Sequence, residues 1–259
     1  ELVGAVPRDG IVLFHAKHER FVRRAPGAGR ALLVGCRADN RQPLAAEVEI
    51  VQNRQFADER SRFFVPHWPQ PGLLPRDPMR GEWLAALAAR GLAWEADAPA
   101  FAGAATATGE ARWADYREID LVVALRPPDP RTARSKPATK LVNAWLAGVP
   151  ALLGPEPAFQ ELRRSPLDFL EVEGAPAALA AIDRLRGDPG LYRAMVAHGS
   201  ARAREYDAMA VAGRWRELLV ERLPALALEP ARVRRRRLPL GLTRAGRLLA
   251  RWATLRPPR

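Results

Sequence analysis

Arg134-Ser-Lys-Pro-Ala-Thr-Lys-Leu-Val-Asn-Ala-Trp-Leu-Ala-Gly-Val-Pro-Ala-Leu-Leu-Gly154 carries more structural information than any other part of the chain. It reads as a helix with its start, its stop and the following strand all marked. Pro137 suits a first helical position, where the missing N–H is no loss. Ser135 stands close ahead as an N-cap. Leu141, Val142, Trp145 and Leu146 make an apolar stripe at helical spacing. Gly148 stops the helix, and residues 149–153 read as a short buried strand. On the opposite face Lys136, Lys140 and Asn143 fall at i, i+4 and i+7 and so line up. Two ammonium groups at a helix start, together with free N–H groups and the helix dipole, favour a phosphate or diphosphate.

Lys140-Leu-Val-Asn-Ala-Trp-Leu-Ala-Gly-Val-Pro150 resembles the donor-binding segment of GT-B glycosyltransferases, the group that includes glycogen and sucrose-phosphate synthases. The resemblance runs from Asp115-Tyr-Arg-Glu-Ile-Asp-Leu-Val-Val-Ala-Leu-Arg126 to about Leu223. It takes in helical patterns at 175–185, 188–195 and up to 219. Many members of that group carry a Glu at the opening of this helix region and a second Glu eight positions later. Aligned on Gly148 and Pro150, those positions are Ser135 and Asn143 here, so both glutamates are missing. The resemblance implies an α/β chain of two Rossmann-like lobes, the N-terminal one short, with a nucleotide-sugar donor as partner, no cofactor and no tightly held metal. It places Arg126, Lys136, Lys140, Asn143 and Glu156 on the donor side. The expected division is 1–62 for the short lobe, 63–228 for the donor-binding lobe and 229–259 for a basic amphipathic tail. An N-terminal lobe of this group is usually much larger than 1–62. With Glu1 rather than Met at the start, either part of the lobe precedes this sequence or the lobe is reduced.

Residues 10–17, 30–36 and 47–53 read as apolar strands ending in polar residues, separated by short helices or loops. Such strands suggest a parallel sheet with a ligand crevice at their carboxyl ends. His15, Lys17, Arg37, Asp39 and Asn53 then share one rim, each with a loop or capping role as the alternative. Phe63-Phe-Val-Pro-His-Trp-Pro-Gln-Pro-Gly-Leu-Leu-Pro-Arg-Asp77 has four prolines and a glycine, which hold it extended. It reads as a rigid connection between lobes. His67, Trp68, Gln70, Arg76 and Asp77 add polar and aromatic groups to it. His15 and His67 are the candidates for catalysis. Residues 82–90 read as a helix, and 96–109 give no clear pattern.

Residues 120–125 read as a buried strand with Arg126 at its end, and 126–134 as a loop feeding the helix. Arg126 and the two lysines suit one diphosphate, Arg as a fork and Lys as point charges. Glu156 follows the next strand, where it suits a sugar or ribose hydroxyl or serves as a helix-start charge. Residues 169–172 read as a further strand. The sequence shows no Cys/His cluster, HExxH, EF-hand, P-loop or G-x-S-x-G motif.

Of the 259 residues 48% are hydrophobic, enough for a real core. The single Cys36 excludes an internal disulfide and fits a reducing compartment. It follows an apolar strand and reads as a buried thiol rather than a reactive one. No run of 18 apolar residues predicts a membrane span, and no signal peptide is visible, so a cytoplasmic location is expected. Residues 229–259 hold ten arginines against one glutamate, +9 of the net +12, which leaves the body near neutral. That balance argues against a nucleic-acid footprint across the body. In the tail, Ala245, Leu248, Leu249, Trp252 and Leu255 share one helical face, and Arg244, Arg247 and Arg251 share another. Residues 232–255 are thus built like a helix on an anionic membrane surface, with a solvated tail or a helix packed on the body as alternatives. Loss of vesicle binding on deletion of 229–259 is the corresponding test.

The expected function is transfer of a sugar from a nucleotide-sugar donor to an unknown acceptor. The alternatives are a non-catalytic binding module of the same fold, or an adaptor driven by the tail. Turnover of a nucleotide-sugar panel separates the first from the second.

Overall fold

The computed structural model describes residues 7, 9–24, 31–37, 41–79, 114–125, 135–230 and 232–233. They fall into two compact units. One is drawn from Glu1–His67, Pro130–Pro137 and Val211–Arg259, the other from Trp68–Asp129 and Ala138–Ala210.

The first unit holds β1 (Ile11–His15), β2 (Leu32–Cys36), β3 (Val48–Val51) and β4 (Arg62–Phe64), all parallel and in that spatial order. Side chains alternate between the two faces of a strand, and both faces of this sheet are covered, as parallel sheets require. Val12, Phe14 and Leu33 pack with Val22 of α1 (Glu19–Arg24) and with Ala31, Ala45 and Ala46. Leu32, Val34, Val48, Ile50 and Phe63 form the opposite cluster with Val211, Leu218 and Leu223. Gly35 sits where a Cβ would lie 2.3 Å from Pro43 Cβ, so only glycine lets that loop close on β2.

The second unit holds β5 (Val122–Ala124), β6 (Ala151–Leu153) and β7 (Leu170–Glu171), again parallel and in that order. α2 (Thr139–Ala147), α3 (Pro157–Leu162), α4 (Gly174–Gly187) and α5 (Pro189–Ala203) connect and cover these strands. Leu153 faces the cluster of Leu141, Trp145, Phe159 and Phe169, while Leu152 faces that of Ile182, Leu185 and Met195. The three strands expected near 120–125, 150–153 and 169–172 therefore form one parallel sheet. The helices expected at 175–185 and 188–195 are α4 and α5. Gly148 ends α2 at φ 71°, with its N–H on Trp145 O and the Val149 N–H on Ala144 O, both orphan carbonyls thereby satisfied.

Four expectations are corrected. α2 begins at Thr139, not Pro137, and its N-cap is Ala138 rather than Ser135. Pro137 disfavours helical backbone at Lys136, and Asn53 Nδ2 donates to Lys136 O at 3.1 Å. Lys136 thus lies ahead of the helix and does not share a helical face with Lys140. Lys17 stands in a 3-10 turn, Ala16–His18, rather than in β1.

The segment 63–77 is not a free spacer. Its start is β4, continued by the Val65 N–H on Val51 O, and the rest is tied into the second unit. Leu74 bridges Asp115, Arg76 N donates to Ala147 O at 2.9 Å, and the Arg76 guanidinium binds Asp120 at 3.0 Å.

The division at 62 and 228 also differs from the structure. Residues 211–228 belong with the first unit, because Val211, Leu218 and Leu223 bury against its sheet. These residues lie on α6 (Ala208–Glu217), a π turn at Leu218–Arg222 and α7 (Leu223–Leu228). Arg126, Asp39, the helix at 82–90, the segment 96–109 and the tail beyond 233 lie outside the described residues. No helix among the described residues is long and apolar enough to cross a membrane.

Candidate functional site

Because β5, β6 and β7 are parallel, their carboxyl ends share one edge, and α2, which leads from β5 to β6, begins at that edge. Gly154 N donates to Ala124 O at 3.1 Å and holds the two strand ends together. Lys140 lies half-buried in the first turn of α2. The N-cap Ala138 has no side-chain acceptor, and the helix dipole is positive at this end. Glu156 stands three residues beyond β6, 4% exposed. It is the N-cap of α3, yet its side chain does not cap; its carbonyl accepts the N–H groups of Phe159 and Gln160.

Asn143 is on the same helix as Lys140 but is buried in the packing. Its Oδ1 accepts the Gln70 N–H at 3.2 Å, and it hydrogen-bonds Tyr116. Burial pushes the Tyr116 hydroxyl pKa up, and the bond to Asn143 partly offsets the rise. The open face expected for Asn143 is thus replaced by a structural tie to the segment around Gln70.

In the first unit, His15 closes β1 opposite Cys36 and is exposed. Burial, then the positive charges of Lys17, His18 and Arg41, hold its pKa below the usual histidine value. The neutral imidazole, the form that accepts a proton, is thereby favoured. His67 is exposed three residues past β4. Arg37 leaves the rim: its guanidinium lies 3.1 Å from Glu49 Oε1, with the two side chains 8% and 5% exposed, and 4.2 Å from the centroid of Phe56. Asn53, 2% exposed, is likewise drawn inward to Lys136 O. Cys36 has its thiol pushed up to about 11 by burial, in line with an unreactive thiol.

One polar assembly of the second unit was not read from the sequence. Asp168 is wholly buried at the side chain. Its Oδ2 accepts the N–H groups of Arg164 at 2.6 Å and Ser165 at 2.7 Å. Its Oδ1 accepts Arg202 Nη1 at 2.6 Å and lies 3.0 Å from His198 Nε2. Its carbonyl accepts Trp145 Nε1 of α2 at 3.0 Å, and Arg202 lies over the Trp145 ring at 4.7 Å. This assembly fixes α2, and with it the edge where Lys140 stands. One sequence signal existed: Met195, Gly199, Arg202 and Ala203 share helical spacing and are buried together, which puts an arginine on the inward stripe of α5.

No protein-family model matches the chain, and no curated protein matches its sequence. Among solved structures it is similar to HepE of Anabaena, crystallised with UDP, at a TM-score of 0.52 and 13% identity, over 80% of this chain and 78% of HepE. It is also similar to sucrose-phosphate synthase of Thermosynechococcus elongatus, at a TM-score of 0.50 and 14% identity, over 82% of this chain and 74% of the synthase. The chain has the α/β architecture, with parallel sheets, of the GT-B glycosyltransferase fold.

Proposed function

We propose that this protein transfers a sugar from a nucleotide-sugar donor to an acceptor hydroxyl. The observation that carries the reading is the start of α2. A nine-residue helix opens without a side-chain cap at the carboxyl edge of a parallel sheet, with Lys140 in its first turn. HepE, of the same fold, was solved with UDP, which favours a nucleoside diphosphate as the group received here. As the bond from the sugar C1 to the diphosphate oxygen breaks, negative charge builds on the diphosphate. Lys140 and the helix N-terminus offset that charge. Glu156 is assigned to a ribose or sugar hydroxyl, and Arg126 to the diphosphate. His15, at the end of β1 in the first unit, is the group chosen to take the acceptor proton, with His67 as the second candidate histidine. With the lysine and helix charges in this role, turnover is expected to persist in EDTA.

Calorimetric titration of UDP and GDP into wild type and Lys140→Ala tests the reading. A hydrogen bond to a charged group is worth about 1.5–3 kcal/mol, so affinity should fall roughly tenfold to a hundredfold. Equal affinities in two folded proteins would remove Lys140 from the site. A second reading, a binding module without turnover, is favoured by one observation. Asn143, which stands where many GT-B members carry a Glu, is committed to Gln70 and Tyr116. UDP binding without turnover on any nucleotide sugar of a panel would select it.

A further inference from the structure

Lys17-His-Glu-Arg-Phe-Val-Arg-Arg24 places four permanently positive side chains in eight positions against one carboxylate. The fold removes that carboxylate from the surface. Glu19 is 7% exposed, and its Oε1 accepts the Ala45 N–H at 2.7 Å. Val22 turns inward with it, into the cluster of Val12, Phe14 and Leu33. Lys17, His18, Arg20, Phe21, Arg23 and Arg24 are left facing outward, all exposed. Among the described residues Lys17, Arg20, Arg23 and Arg24 form no ion pair. Phe21 stands in their midst, 56% exposed, with the Arg20 guanidinium 5.0 Å from its ring centroid and the His18 ring at 6.1 Å.

A large aromatic ring more than half exposed, amid cations that form no ion pair among the described residues, buries little of its surface within the first unit. We propose that this face of α1 and the turn before it rests on the anionic surface of a lipid bilayer. Phe21 enters at headgroup depth, and the four cations meet lipid phosphates and carboxylates. The charge is complementary to such a surface. An apolar group beside the cations is what an interfacial helix buries. A nucleic acid would also attract the cations. However, Arg20 already lies over the Phe21 ring, which leaves the ring edge suited to insertion rather than its face to stacking on a base. The proposal stands whether or not the chain is a transferase.

The test is co-sedimentation of the full chain with phosphatidylcholine vesicles, with and without phosphatidylserine, at several salt concentrations. Each basic residue near an anionic surface is worth about fivefold in affinity. Arg20→Glu/Arg24→Glu should therefore weaken binding to the phosphatidylserine vesicles by roughly twentyfold or more and flatten its salt dependence. Phe21→Ser should weaken it severalfold and leave the salt dependence in place. All three positions are exposed, so melting temperature and UDP affinity should not move. Residues 229–259 stay in every variant, so the loss reports this face alone. Vesicle affinity equal to wild type in both variants would overturn the proposal. So would a wild type that binds single-stranded RNA and ignores phosphatidylserine vesicles.

Discussion

Asp168→Asn keeps the volume of a side chain that solvent does not reach and removes its charge. Four donors converge on the carboxylate: the Arg164 and Ser165 N–H groups on one oxygen, and Arg202 with His198 on the other. An amide offers one oxygen, so whichever way it turns, two contacts lose their acceptor and its NH2 faces them. A buried donor left unsatisfied costs about 1–3 kcal/mol. Breaking a buried ion pair costs about 3–5 kcal/mol. Arg202 keeps two other partners, Glu205 Oε1 at 3.0 Å and Leu162 O at 3.1 Å, which limits the loss. The expected destabilisation is about 3–4 kcal/mol, a large part of the roughly 5–15 kcal/mol that holds a domain folded. Urea unfolding followed by far-ultraviolet circular dichroism measures it as a fall in midpoint. Adding Arg202→Met should recover part of the loss, because an apolar side chain needs no counter-charge. A loss below about 1 kcal/mol for Asp168→Asn would refute the view that this carboxylate organises the packing around Trp145.

Two further outcomes follow from the first unit. Glu49→Gln removes the carboxylate that faces the buried Arg37 guanidinium; thermal melting should show a loss of about 3 kcal/mol. Cys36, with its thiol raised to about 11 by burial, should be alkylated by iodoacetamide at pH 8 about a hundredfold more slowly than an ordinary thiol, and at the ordinary rate in urea. The sign is that of a group kept neutral in the fold. Its contribution is intact below the ordinary thiol value and is lost as pH rises through about 11.

Short-range order was written in the chain. The strands at 11–15, 32–36, 48–51, 122–124 and 151–153 announce themselves as apolar runs, and the end of α2 as a glycine at φ 71°. Each signal depends on neighbours within a turn or a strand length, where steric preference and burial period act directly. The candidate residues at the strand ends were legible to the same extent. Lys140 and Glu156 stand at the edge that the β–α–β order implied.

What each side chain does there depended on residues far along the chain. Arg37 became an ion-pair partner because strand register sets Gly35 against Glu49. Asn143 became a tie because the backbone of Gln70, 73 positions away, needed an acceptor. Lys136 left the helix because Pro137 and Asn53 hold its backbone otherwise. The region up to 219 was readable as helical, yet an apolar helical stripe does not name the sheet it will cover. Asp168, Arg202, His198 and Trp145 show this most plainly. A carboxylate and a guanidinium 34 positions apart carry no mutual signal in the sequence. Burial removes both from water and makes each the other's necessary partner.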